Sequence, residues 1–242
     1  MPRRLTEAGV PFTLVLDHKE DYKDYSHLEC ETTKIITLDK PFGVGYTRQV
    51  IKNLYRGVPL MMLDDDLSLR LRKFDNPTRL VSCKTNEQVK EWFRIVDNFC
   101  RNNQFDIGGV SHSAFFYNDT RKTRQAVNIV QHMIFNSYRC KEVDYDPNLY
   151  LRMEDTDFLL QCMKRKFDFL VCNEVLYSGP INREAKDTGG CSYVYRDKEM
   201  MRVTTNYAIN KWGKYIKLKR TGNIFDYSVD FRTARKDFGY DY

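Results

Sequence analysis

No stretch of 18 or more apolar residues occurs in this 242-residue chain, so no segment is expected to cross a membrane as a helix. The opening residues, Met1-Pro2-Arg3-Arg4-Leu5-Thr6-Glu7, hold no apolar run of the signal-peptide kind, and the chain is expected to be cytoplasmic, not secreted. The seven cysteines include no CxxC pair, and an odd number in such a chain reads as reduced thiols that serve packing. Histidine is scarce, with four residues at 18, 27, 112 and 132. Internal repeats and low-complexity tracts are absent. What is present is enough for a core: hydrophobic residues make up 42% and aromatics 14%, too many for a disordered chain despite a mean hydropathy of −0.60. A net charge of +6 permits a nucleic-acid or phosphate-bearing partner without demanding one.

Hydrophobic patterning places a short helix over 3–8, stopped by Gly9, then a strand over 10–16 ending in Asp17. A polar connection over 19–28 leads to a second strand at 33–38. The loop Gly43-Val44-Gly45 then opens a helix from Tyr46 to about Arg56. Leu60-Met61-Met62-Leu63 is a third strand, cut off by Asp64-Asp65-Asp66. This alternation predicts an α/β fold with a mostly parallel central sheet, whose ligands bind beyond the carboxyl ends of the strands. Further on, 85–102 is an amphipathic helix carrying Val89, Trp92, Phe93, Ile95, Val96 and Phe99. Phe105–Val110 reads as a strand whose Gly108 and Gly109 mark close approach of something to the backbone, with His112 just after it. Segments 128–135 and 167–172 read as two more strands.

Three adjacent carboxylates are costly to bury unpaired, so they belong at the open end of the strand, facing a cation or water. If the chain stays extended, Asp64 and Asp66 point one way and Asp65 the other. Two hard oxygen ligands suit Mg²⁺ or Mn²⁺, which complete their shells with water and phosphate oxygens. A solvated turn is the bland alternative. Gly43 and Gly45 let a backbone approach a ligand, the helix behind them offers N–H groups to phosphate, and Arg48 lies one turn in. An ordinary glycine pair in a loop fits the same residues.

A second acidic cluster, Glu154-Asp155-Thr156-Asp157, opens a helix that runs to about Lys166. At 100° per residue, Glu154 and Asp157 share the solvent face with Gln161, Lys164 and Arg165. Asp155 falls in the arc of Phe158, Leu159, Cys162 and Met163. Capping of the helix dipole explains one such acid, but not one directed inward, which makes Asp155 a candidate general base. The stretch 211–220 holds five cations and no acid, with Trp212 and Tyr215 interleaved; Lys211, Trp212, Lys214 and Lys217 suit a nucleic acid, or simply a solvated surface.

In this order, Gly43-Val44-Gly45-Tyr46-Thr47-Arg48, Met62-Leu63-Asp64-Asp65-Asp66, Gly108-Gly109-Val110-Ser111, Met153-Glu154-Asp155-Thr156-Asp157-Phe158 and Thr188-Gly189-Gly190 resemble the motifs of GT-A glycosyltransferases. In detail the chain is most similar to the TET/JBP-associated glycosyltransferases, proposed to glycosylate hydroxymethylated pyrimidines in DNA, notably in phages. The resemblance covers about Leu5 to Gly190. It implies a GT-A-like (Rossmann-like) domain over 1–195, with helices flanking the sheet, and a basic, aromatic extension over 196–242. It further implies a divalent metal, Mn²⁺ or Mg²⁺, held by Asp64 and Asp66 on the diphosphate of a nucleotide sugar such as a UDP-sugar. Gly43, Gly45, Arg48, Asp65, Gly189 and Gly190 would lie around that donor, with Asp155 and Glu154 at the acceptor hydroxyl. Gly109, His112, Lys211, Trp212, Lys214 and Lys217 would face an acceptor of hydroxymethylated DNA, in a host cytoplasm if a phage encodes the chain.

Two features depart from the GT-A pattern. Such domains open with a strand before the helix that here ends at Gly9, and many take a third metal ligand from a C-terminal histidine. Neither is found in this sequence. Clustered carboxylates also build the two-metal sites of nucleotidyltransferases and nucleases, and a degenerate DNA-binding relative is a third reading.

Overall fold

A computed structural model describes residues 1–39, 43–55, 59–125, 129, 132–179, 197–221 and 224–240. The elements run α1 (Pro2–Glu7), β1 (Phe12–Leu16), β2 (Thr33–Thr37), α2 (Val44–Leu54), β3 (Leu60–Leu63), β4 (Ser68–Arg72), β5 (Leu80–Ser82) and α3 (Asn86–Asn102). After them come β6 (Ile107–His112), β7 (Thr123–Arg124), β8 (His132–Phe135), α4 (Glu154–Lys164) and β9 (Phe169–Ser178). The C-terminal part supplies α5 (Lys198–Trp212), β10 (Ile216–Thr221), β11 (Ile224–Val229) and α6 (Phe231–Asp237).

Two compact units divide these elements. One draws on 1–41, 58–137 and 168–181, the other on 42–57, 138–167 and 182–242. The C-terminal elements α5, β10, β11 and α6 fall in the same unit as α2 and α4.

The first unit is built on a sheet ordered β3-β8-β6-β9-β4-β5, with β7 added beside β9. The α/β class holds, but a mostly parallel sheet does not. Only β6–β9 is a parallel pair in this sheet, and its other pairings are antiparallel. β1 and β2 do pair in parallel, as a separate two-stranded sheet. Parallel neighbours need a crossover of a dozen or more residues. The connection from β4 to β5 is too short for one, so these two neighbours form an antiparallel hairpin. β4, in which Leu69 and Leu71 alternate with Arg70 and Arg72, adds a strand between β9 and β5.

Helix α3 shows how local sequence fixes an element. Thr85 caps it: its Oγ1 accepts from Gln88 N at 3.3 Å, while Gln88 Oε1 accepts from Thr85 N at 3.1 Å. Val89, Trp92, Val96 and Phe99 then recur at helical spacing and are buried with Leu5, Leu69, Val110, Ile134 and Val175. Trp92 is wholly buried, so its indole N–H needs a partner and finds the Leu176 carbonyl at 2.9 Å.

Among the described residues, the cysteines behave as packing residues with one exception. Cys83, Cys140, Cys162 and Cys172 are buried, and burial pushes the Cys83 and Cys172 thiols up to about 11 and that of Cys100 to about 12. Cys30 is exposed, and hydrogen bonds from Thr32 and Thr33 lower its thiol to about 7. Because the thiolate is the nucleophile, iodoacetamide at pH 7.5 is expected to label Cys30 well ahead of Cys83, Cys100 and Cys172, with half-maximal rate near pH 7. Peptide mass mapping of a short alkylation reads this directly; equal labelling of Cys83 would contradict it.

Candidate active site

The three acids follow β3, an edge strand that pairs only with β8 among the described strands. The strand stops at Leu63, and Asp65 and Asp66 form a turn that leads to β4. Strand alternation therefore does not continue through the acids, and the bland expectation of a turn is right about the backbone. Asp64 is half-buried, while Asp65 and Asp66 are exposed. Solvent reaches Asp66, yet partial desolvation, then the charges of Asp64 and Asp65, hold its carboxyl above the ordinary range. Such crowding of like charge is what a bound cation relieves. Among the described residues, no three His, Cys, Asp or Glu side chains come together as a metal site. Two carboxylates, Asp64 and Asp66, would leave most of the shell of a Mg²⁺ or Mn²⁺ ion to water and phosphate oxygens.

The glycine loop, by contrast, is filled by protein. Gly43 sits at φ +92°, a conformation glycine adopts without strain, and a Cβ there would meet Leu151 Cδ2 at 2.6 Å and the Tyr150 carbonyl at 2.9 Å. A Cβ on Gly45 would meet Tyr150 Cα at 2.7 Å and Glu154 Cβ at 2.9 Å. The amides that open α2 are also engaged: Gly45 N donates to Tyr150 O at 2.9 Å, and Tyr46 N and Thr47 N donate to Gly43 O at 3.0 and 3.2 Å. The expected phosphate cradle at Gly43 and Gly45 is corrected to a close-packing contact between α2 and the segment leading into α4.

Arg48 is corrected in the same way. It is 7% exposed, and its Nη1 donates to Glu154 Oε1 at 2.8 Å. One turn on, Lys52 is 4% exposed and donates to the Val143 carbonyl at 2.6 Å and Asp144 Oδ1 at 2.7 Å. Gly45, Arg48 and Lys52 share one buried polar face of α2. The i, i+3, i+7 spacing of glycine and two cations was a readable signal for that face, overlooked because cations are taken as outward by default.

The acids of α4 are inverted relative to the helical-wheel expectation. Glu154 and Asp157, assigned to solvent, are buried at 7% and 1% exposure, and Asp155, assigned to the core, is half-buried. The reason is partners from elsewhere in the chain. Arg48 pairs with Glu154; Trp212 Nε1 donates to Asp157 Oδ1 at 2.7 Å, and Lys211 Nζ lies 2.7 Å from the same oxygen and 2.6 Å from Asp146 Oδ2. Buried carboxylates persist only when paired in this way. Met153, just before them, is a buried non-glycine residue at φ +67°. This left-handed step costs on the order of 1 kcal/mol and sets the direction in which Glu154 and Asp155 enter the helix. Asp155 Oδ1 accepts from Thr156 N at 2.6 Å.

The remaining expected residues scatter. Trp212 is 8% exposed and turned inward, and Lys211 is committed to Asp146 and Asp157, so neither presents the nucleic-acid surface expected of them. Lys214 pairs with Asp237 at 2.5 Å, and Lys217 is exposed on β10. Gly109 lies inside β6, where a Cβ would meet Ile129 Cγ2 at 2.7 Å and His132 Nε2 at 2.9 Å; side-chain packing, not an acceptor, explains the glycine. His112 accepts from Ala114 N at 3.1 Å through Nδ1 and packs edge-on against Tyr177, and burial lowers its pKa. Gly189 and Gly190 lie outside the described residues.

No curated protein matches the sequence significantly. Among solved structures, the chain is similar to the crystal structure of S. aureus TarS 1–349, with a TM-score of 0.45 and 12% identity. That match covers 85% of this chain and 60% of the TarS chain. The family model TET-Associated Glycosyltransferase matches residues 2–184, a span that contains the Asp64–Asp66 turn, the Arg48–Glu154 pair and the start of α4. The chain belongs to the TET-associated glycosyltransferase family.

Proposed function

We propose that this chain moves a sugar from a nucleotide-diphosphate sugar, a UDP-sugar, to the hydroxyl of a 5-hydroxymethylpyrimidine in DNA, hydroxymethylcytosine above all. The observation that carries the reading is the crowded triplet Asp64–Asp66 directly after β3, in a member of a glycosyltransferase family. Asp64 and Asp66 would hold the divalent metal, Mn²⁺ or Mg²⁺, with Asp65 beside the donor. That ion, when bound, neutralises charge on the departing diphosphate.

The chain's own residues supply the remainder. As the acceptor oxygen bonds to the sugar's anomeric carbon and the bond to the diphosphate breaks, the acceptor proton passes to Asp155 in an inverting reaction. Glu154, expected at the acceptor, instead holds Asp155 in place by locking the first turn of α4 to Arg48. Asp155→Asn should bind donor like the parent and lose turnover.

Incubating hydroxymethylated DNA with the protein, Mn²⁺ and a mixed pool of sugar nucleotides, followed by mass spectrometry of the nucleosides, tests the reading. A nucleoside heavier by one sugar is the expected product. Unchanged nucleosides with every donor would refute it, and nicked DNA without any donor would point to a nuclease.

A further inference from the structure

We propose that the tip of the β4–β5 hairpin is a DNA-docking wedge, with the Phe74 ring stacking against bases where the acceptor nucleotide leaves the duplex. The inference rests on the reading of DNA as acceptor. An enzyme acting on a base cannot reach its target inside a stacked duplex, and unstacking leaves a gap that an apolar side chain can fill.

Phe74 is 105% exposed, so it contributes nothing to the core. An isolated exposed apolar residue needs no explanation on a loose loop. This one sits on a rigid tip. Lys73 N donates to Arg79 O at 2.9 Å and Arg79 N to Asn76 O at 2.9 Å, closing the hairpin beyond its last strand pair. Asn76 Oδ1 accepts from Thr78 N at 3.2 Å and Thr78 Oγ1 at 2.7 Å, ordering the turn around Pro77.

Arg72, at the base of the tip, anchors it to the rest of the unit. Its guanidinium donates to five carbonyls: Asn173 at 2.7 Å, Pro77 at 2.7 Å, Tyr117 at 2.8 Å, Phe116 at 3.0 Å and Asp119 at 2.6 Å. These bonds tie the hairpin to the loop before β7, which carries a second exposed ring, Tyr117 at 48%. A wedge held this firmly loses little further freedom on binding.

Charge favours a polyanion. The segments 72–79 and 117–124 carry Arg72, Lys73, Arg79, Arg121, Lys122 and Arg124 against Asp75 and Asp119, and Asp119 is taken by Arg121 at 2.7 Å. Arg124 stacks 3.6 Å over the Phe116 ring, and burial lowers its pKa. Planar rings interleaved with cations suit bases and phosphates. The aliphatic side chains that would anchor a membrane surface are missing from the tip.

The test is binding of the full chain to duplex DNA carrying hydroxymethylcytosine, with 2-aminopurine beside it to report unstacking. Phe74→Ala is expected to weaken binding roughly tenfold or more and to abolish the 2-aminopurine signal. Phe74→Trp should keep both, and neither change should move the thermal midpoint. Lys73→Ala with Arg79→Ala should flatten the dependence of log affinity on log salt by roughly one for each lysine or arginine that meets a phosphate. Phe74→Ala binding and unstacking like the parent would overturn the wedge alone. A parent that binds no DNA while still binding a sugar nucleotide overturns the acceptor reading as well. Partition onto phosphatidylserine vesicles in place of DNA would assign the tip to a membrane.

Discussion

Asp64→Ala and Asp66→Ala are each expected to cut sugar transfer by on the order of 10²–10³-fold, the scale of removing one charge-stabilising group from a transfer site. The fold should be left standing. Asp66 is exposed and Asp64 half-buried at a turn beyond the end of β3, so truncation opens no cavity. Asp66→Ala also removes a carboxylate whose charge is opposed by Asp64 and Asp65, which favours the folded chain slightly at neutral pH. The sign follows from the direction of the shift. A carboxyl raised in the folded state disfavours folding once it ionises, and this penalty is absent at low pH. The metal reading has a signature besides activity: Mn²⁺ should raise the thermal midpoint of the parent and fail to do so in either variant. Parent-like transfer by Asp64→Ala would remove the triplet from the chemistry.

Arg48→Met is expected to cost about 3–5 kcal/mol, the usual penalty for stranding a buried charge. Both side chains of the Arg48–Glu154 pair are 9% exposed, so solvent cannot take over from the lost partner. Against a total stability of about 5–15 kcal/mol, such a loss leaves the variant marginal, and urea denaturation should show a large fall in midpoint. Adding Glu154→Gln removes the stranded charge while keeping the shape, so the double variant should regain much of what Arg48→Met loses. If it regains nothing, the pair is not what stabilises the contact. The surroundings leave little room for other rescue, since Gly45 already approaches Glu154 Cβ within the space of one added carbon. Relaxation of the segment between Tyr150 and Glu154 would displace Asp155, so transfer should fall along with stability.

Much of the fold was readable without coordinates. The period of Val89, Trp92, Val96 and Phe99 gave α3 its face and its extent, because the signal repeats within a few turns of the chain. The apolar run of β3 and the acids that end it were equally local. The α/β class, the free cysteines and the family motifs followed from the same kind of information. So did the carboxylate triplet as the place to look for chemistry.

The tertiary structure alone decided what each motif residue faces. Strand direction in the sheet depended on which strands met: β8 runs antiparallel to both β3 and β6, and β9 antiparallel to β4 and β7, while the β4–β5 hairpin adds one more antiparallel pair. Gly43 and Gly45 turned out to accommodate protein instead of phosphate. Glu154 and Asp157 are buried because Arg48, 106 residues away, and Trp212, 55 residues away, reach them. The basic tail, expected to meet nucleic acid, spends Lys211 and Trp212 on Asp146 and Asp157, and the exposed ring of Phe74, between Lys73 and Arg79 in sequence, lies on the β4–β5 tip. The physical reason is common to all of these. Propensity and periodicity act over a few residues and are written along the chain, whereas the burial of a charge is decided by a partner that only folding brings near.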